Sequence, residues 1–171
     1  LRQYASAALG RTLAARDRLQ LVQDQQVQVL LGGFVMIDRK AWDAAGGFDE
    51  RFFLYCEEVD LFARMDRAGG QLWSIPAARA QHELAHGDNL VPRRLLYMAA
   101  GTAEYLRKHW SAPKRVLGLG LLWLASVERW AAGKLLGRWW PRLAALGEGH
   151  RLVATRPGLW RYGYDPVRGL K

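Results

Sequence analysis

Cysteine is almost absent. With Cys56 alone the chain cannot close an internal disulfide, and neither a four-cysteine zinc cluster nor an iron–sulfur site has its ligands, so a reducing compartment is expected. Six prolines and 18 glycines in 171 residues fall short of a collagen-like or linker composition. No apolar run is long enough for a membrane span: the charge-free stretch 116–127 makes about 18 Å of helix against roughly 30 Å of hydrocarbon. Phosphate-binding loops of the G-x-G-x-x-G or Walker type are missing, and so is any D-x-D. The first residue is Leu1 and no signal peptide follows it, from which a piece of a longer chain is expected.

Half of the residues are apolar, and the eight Trp, six Tyr and five Phe can fill a core, so the chain is expected to be globular rather than disordered. Acidic residues are scarce in one half only. Residues 1–90 carry a net charge of −2 and residues 91–171 a net charge of +11, and six of the eight Trp lie in the basic half. Trp mixed with Lys and Arg is the composition of a membrane–water interface. Without a groove-reading motif, a lipid surface is the expected partner of residues 116–142, and nucleic acid is not.

Periodicity orders the chain. Residues 1–25 read as a helix. Val27, Val29 and Leu31 alternate with polar neighbours as in a strand, which runs on into the apolar, buried-looking Phe34-Val35-Met36-Ile37. Asp38 is a predicted N-cap for a short helix closed at Gly46-Gly47. A second helix is predicted from Glu57, its carboxylates matching the helix dipole and Leu61, Met65 and Ala68 forming its buried stripe. Gly69-Gly70 ends it, and 71–75 is a return strand stopped by Pro76. After Pro92, Leu95, Ala99, Ala103, Leu106 and Trp110 mark a long helix. The segment beyond Gly133 reads as a helix lying on a lipid surface until Pro141, and the tail from Thr155 reads as disordered.

Two constellations carry chemistry. In the first, Gly46-Gly47-Phe48-Asp49-Glu50 precedes Phe52-Phe53-Leu54-Tyr55-Cys56 and then Glu57-Glu58-Val59-Asp60-Leu61. A glycine pair allows close backbone approach, aromatic faces stack on sugar rings, and carboxylates open a helix beside them. In the second, His82-Glu83-Leu84-Ala85-His86 is a literal H-E-x-x-H, with Glu104 as a third possible ligand. On a helix it would bind zinc as in metallopeptidases. Pro76 before it, Gly87 directly after it, and Asn89 and Pro92 where longer versions need Gly and His argue against that alternative.

The first constellation resembles the family-two glycosyltransferases of GT-A fold, in particular their rhamnosyltransferase-like branch. The resemblance begins at Gly32-Gly33-Phe34-Val35-Met36-Ile37-Asp38-Arg39. It continues through Ala45-Gly46-Gly47-Phe48-Asp49-Glu50-Arg51-Phe52-Phe53 and Glu57-Glu58-Val59-Asp60-Leu61 with Arg64, and closes at Pro76 and His82. It implies an α/β fold, with 1–90 as the C-terminal, acceptor-side portion of a GT-A (Rossmann-like) domain and 91–171 as a helical, basic extension. It implies an inverting transfer from a nucleotide-sugar donor to a glycan or lipid-linked acceptor, in the cytoplasm at the inner face of a bacterial membrane. By the same resemblance Glu58 is the catalytic base, one methylene longer than the usual Asp, with Glu57 and Asp60 as supporting carboxylates. Gly46, Gly47, Asp49 and Phe53 fall on the acceptor side. His82 falls on a ligand of a divalent metal, Mg²⁺ or Mn²⁺, shared with a D-x-D motif this chain lacks. A third class, a non-catalytic membrane-surface module, rests on the basic half alone.

Overall fold

Gln25–Val27 (β1) and Leu72–Ser74 (β2) pair antiparallel, with Gln25 opposite Ser74 and Val27 opposite Leu72. Between them lie helices Arg39–Ala45 (α1) and Glu57–Arg67 (α2), the strand, helix, helix, strand order predicted for this stretch. This computed structural model describes residues 23–30, 32–81, 91–165 and 169–170. The predicted helix over residues 1–25 lies almost entirely outside them, as do Leu31 and the whole H-E-x-x-H segment with His82.

Local chemistry explains both short helices. Asp38 caps α1 by accepting from the Ala41 N–H at 2.9 Å, and Gly46 ends it in the left-handed region at φ 75°. In α2, Leu61, Phe62 and Met65 are buried and form a cluster with Leu72 of β2, covered by Val27, Val35, Ile37 and Trp42. Burying each such side chain contributes about 1.5–3 kcal/mol. Ala68, expected in this stripe, is exposed at the C-cap, and Phe62 takes the buried place instead.

Residues 34–37 differ from the predicted buried strand. They have no strand partner among the described residues and bury only one side: Val35 and Ile37 pack on the core, whereas Phe34 and Met36 are 63% and 97% exposed.

The remainder is helical: Val91–His109 (α3), Ala112–Leu136 (α4), Pro141–Ala154 (α5) and Pro157–Tyr162 (α6), with a small antiparallel pair, Tyr164–Asp165 (β3) and Gly169–Leu170 (β4). The inward face of α3 is Leu96, Ala100, Ala103 and Leu106, so the predicted stripe holds in period and is centred one residue away in its first half. Helices α4 and α5 form an antiparallel hairpin in which Gly133 meets Gly147. A Cβ on Gly133 would lie 2.6 Å from the Gly147 Cα, a contact only glycine permits. Helix α4 runs unbroken to Leu136, and Pro141 starts α5 at a position where its missing N–H costs nothing. Residues 155–165 do not form the loose tail expected: Leu159 is fully buried against Leu96, Ala100 and Val153, and the Trp160 indole donates to the Val153 carbonyl at 3.1 Å.

Candidate functional site around the first turn of α2

The turn that launches α2 is unusual. Tyr55 and Cys56 both have left-handed backbones, φ 67° and 70°, which non-glycine residues adopt at a cost and only when the surroundings hold them there. The holding element is α3. Gly101 lies directly beneath the Tyr55 carbonyl, where any Cβ would collide with the oxygen. Burial pushes the Cys56 thiol up to about 11, so it stays protonated at neutral pH.

This turn sets Glu57, Glu58 and Asp60 in the first turn of α2, close to its positive dipole end. Their surroundings differ sharply. Asp60 is fully buried and saturated: Arg64 Nε at 2.9 Å, Lys108 Nζ at 2.7 Å and His109 Nε2 at 2.7 Å all reach its carboxylate. Burial raises its pKa, but the hydrogen bonds from Lys108, His109 and Arg64 outweigh that and hold it below 3.8. His109 is pushed below 6.5 by burial, against the pull of Asp60. The neutral ring therefore carries its proton on Nε2 to donate to Asp60, leaving Nδ1 without a partner among the described residues.

Glu57 and Glu58 each keep one buried carboxylate oxygen with no hydrogen-bond partner among the described residues. Burial raises the Glu57 pKa above 4.5, and the neighbouring Glu58 adds to it. Glu58 is braced by glycine: a Cβ on Gly32 would stand 3.2 Å from the Glu58 Cβ and 3.3 Å from its Cγ. A carboxylate oxygen without a hydrogen-bond partner keeps its lone pairs for an incoming proton, a property Glu57 and Glu58 share.

The acceptor-side candidates are tied to the same hub. Arg64 donates to the Ala45 carbonyl and, at 2.6 Å, to the Gly47 carbonyl, joining the end of α1 to α2. Gly46 and Gly47 are both at positive φ, and Gly47 packs on the Trp42 indole. Asp49 pairs with Arg51 at 2.7 Å and Lys108 at 2.6 Å, and the hydrogen bond from Arg51 holds its carboxyl well below the usual range. Lys108 thus bridges Asp49 and Asp60. Phe53 is half exposed, stacks on Tyr164 at 4.5 Å and leans on Tyr97 at 5.3 Å. Phe48, edge-on to Trp42, is also half exposed.

Lys108 and His109 join the candidate site through Asp60 and Asp49, and no local sequence pattern marks them. At the end of a helix they look like cations matched to its dipole. The available signal was Asp60 itself, a carboxylate bound for burial that needed partners from elsewhere.

Among the described residues no three His, Cys, Asp or Glu side chains converge on one point, and Asp60 is occupied by Arg64 and Lys108. His82 lies outside the described residues.

Over about half its length, the chain is similar to rhamnosyltransferases. It is 36% identical over 81 residues to an N-acetylglucosaminyl-diphospho-decaprenol L-rhamnosyltransferase of Mycobacterium tuberculosis, covering 47% of this chain and 26% of that protein. It is 36% identical over 84 residues to the rhamnosyltransferase WbbL of Escherichia coli K12, covering 49% of this chain and 31% of that protein. The chain therefore spans about a quarter to a third of these relatives. No family model and no solved structure matches it.

Proposed function

We propose that this chain is the acceptor-side, base-bearing portion of an inverting glycosyltransferase that moves a sugar from a nucleotide-sugar donor to a glycan or lipid-linked acceptor. The similarity to rhamnosyltransferases supports sugar transfer, and it favours rhamnose as the group transferred and a lipid-diphosphate-linked sugar as the acceptor. With such an acceptor, the reaction belongs at the cytoplasmic face of a bacterial membrane.

The single observation that carries the reading is the contrast within one helical turn. Asp60 is buried and held by two cations, Arg64 and Lys108, and the neutral His109 ring, while Glu58, like Glu57, keeps a buried carboxylate oxygen with no hydrogen-bond partner among the described residues. In the proposed step, Glu58 takes the proton of the acceptor hydroxyl as that oxygen attacks the anomeric carbon. The bond from that carbon to the nucleotide diphosphate breaks, and the diphosphate leaves with the electron pair on the opposite face. Asp60 touches no substrate in this scheme. It fixes the turn bearing Glu58, the Ala45–Gly47 carbonyls through Arg64, and Asp49 through Lys108. Glu57 keeps the site acidic, and Phe48 and Phe53 offer partly exposed rings on the acceptor side.

The test is a transfer assay in a protein that carries these residues together with a donor-binding half, using a nucleotide-activated rhamnose and a polyprenyl-diphosphate-linked N-acetylglucosamine. Appearance of the disaccharide lipid with inverted anomeric configuration is the expected result. Donor hydrolysis alone, or transfer with retention, contradicts the proposal.

A further inference from the structure

The α4–α5 hairpin has one face that its own bundle leaves uncovered. Along α4, Gly118, Ser126 and Gly133 face inward and are buried. On the opposite side Leu117, Leu121, Leu124 and Leu135 share one face at helical spacing and are 64%, 57%, 46% and 71% exposed, with Val116 and Trp123 on its flank. Where the hairpin turns, Trp139 and Trp140 are both more than half exposed, and the Arg138 guanidinium lies over the Trp139 ring at 4.7 Å.

Charge selects the occupant. Residues 112–142 carry Lys114, Arg115, Arg129, Lys134, Arg138 and Arg142 against one carboxylate, Glu128. Glu128 falls in register with the leucines, between Leu124 and Leu135, and the cations lie to either side of that face, so a second copy would bring a second net positive charge to the hairpin and be repelled. An anionic surface would be attracted, and an apolar one is required to take up four leucines. An anionic lipid headgroup layer over acyl chains offers both. No described helix is long and apolar enough to cross a membrane, so this one would lie in the interface plane. Indole rings partition to that depth, and Lys and Arg stems reach back to the headgroups.

We infer that the outward face of α4 and the Trp139–Trp140 tip form a docking surface for an anionic lipid bilayer. The inference stands on α4 and the hairpin tip, and vesicle binding needs neither sugar donor nor acceptor. It therefore succeeds or fails independently of the transferase reading.

The experiment is flotation of the protein with vesicles of phosphatidylcholine alone or mixed with phosphatidylglycerol, at low and high salt, alongside indole fluorescence. The surface predicts binding to the phosphatidylglycerol vesicles, a blue shift of the Trp emission and release by salt. Arg138→Gln and Arg142→Gln should each weaken binding roughly fivefold. Leu121→Glu should abolish it, and Glu128→Gln should strengthen it. All four positions are exposed, and circular dichroism checks the fold. Should Leu121→Glu unfold the protein, the paired Trp139→Ala and Trp140→Ala changes at the tip replace it, and they should remove the blue shift. Absence of binding at low salt overturns the inference. So does binding that ignores these substitutions, a lipid-free dimer that Leu121→Glu dissolves, or a preference for nucleic acid over vesicles.

Discussion

The imidazole Nε2 of His109, at the end of α3, lies 2.7 Å from Oδ1 of Asp60, in the first turn of α2. The two residues stand 49 positions apart, and with Lys108 and Arg64 they make one buried carboxylate the junction of three elements. A charge buried this completely persists only because it is paired and hydrogen-bonded, and removing it strands the cations around it. Asp60→Asn should therefore lower the unfolding free energy by about 3–5 kcal/mol in urea titration. A loss below about 1 kcal/mol would mean that the junction does not hold α2 to α3.

Gly101 supplies the second join. Its missing side chain is what lets the Tyr55 carbonyl rest on α3. Gly101→Ala should cost about 1–3 kcal/mol by overpacking, despite alanine's better helix propensity. Gly120, on the same bundle but with open space above it, is the control: Gly120→Ala should stabilise by a few tenths of a kcal/mol, up to about 1.

His150 predicts the acid limb of stability. Burial, reinforced by Arg129, lowers its pKa from 6.5 to about 4 in the folded chain. Above 6.5 the ring is neutral in both states and nothing is lost. As pH falls from 6.5 towards 4 the unfolded chain takes up a proton that the folded chain refuses, and stability drops, by about 1–2 kcal/mol once solvent screening of the half-buried ring is counted. His150→Gln should reduce the slope of the denaturation midpoint over that window, leaving the part that buried His109 contributes. An unchanged slope would remove His150 as its source.

Gly32 tests the placement of Glu58 without touching its charge. A methyl group there would press on Glu58 Cβ and Cγ, and a shift of a few tenths of an ångström is enough to spoil proton transfer. Gly32→Ala should depress kcat about tenfold or more while leaving KM for donor and the thermal midpoint nearly unchanged. Equal losses in both kinetic constants would point to disturbed binding instead.

Much of this arrangement could be read in the sequence where the cause is local. Asp38, Gly46, Glu57 and Gly69 mark the ends of α1 and α2 because caps and dipoles act within a turn. Residues 34–37 misled because four apolar residues in a row look buried whether or not a partner strand exists, and here only Val35 and Ile37 have a core to face. The segment from Thr155 misled for the opposite reason: Pro, Gly and Arg suggest a loose tail, while Leu159 finds a cavity made by α3 and α5 that no local pattern announces. For the site, the E-E-x-D segment and glycine pair stood out at once. The partners Lys108 and His109 did not, since their role depends on α3 folding back across α2.

The central claim is that Glu58 is the base, and its most direct measurement is the turnover of Glu58→Gln with a donor-binding half present. The amide keeps the shape and loses the ability to take a proton. Transfer should fall by about 10²–10⁴-fold while the affinity for nucleotide-sugar stays within about twofold of the parent. A variant that keeps most of its turnover would contradict the account and take Glu58 out of the chemistry.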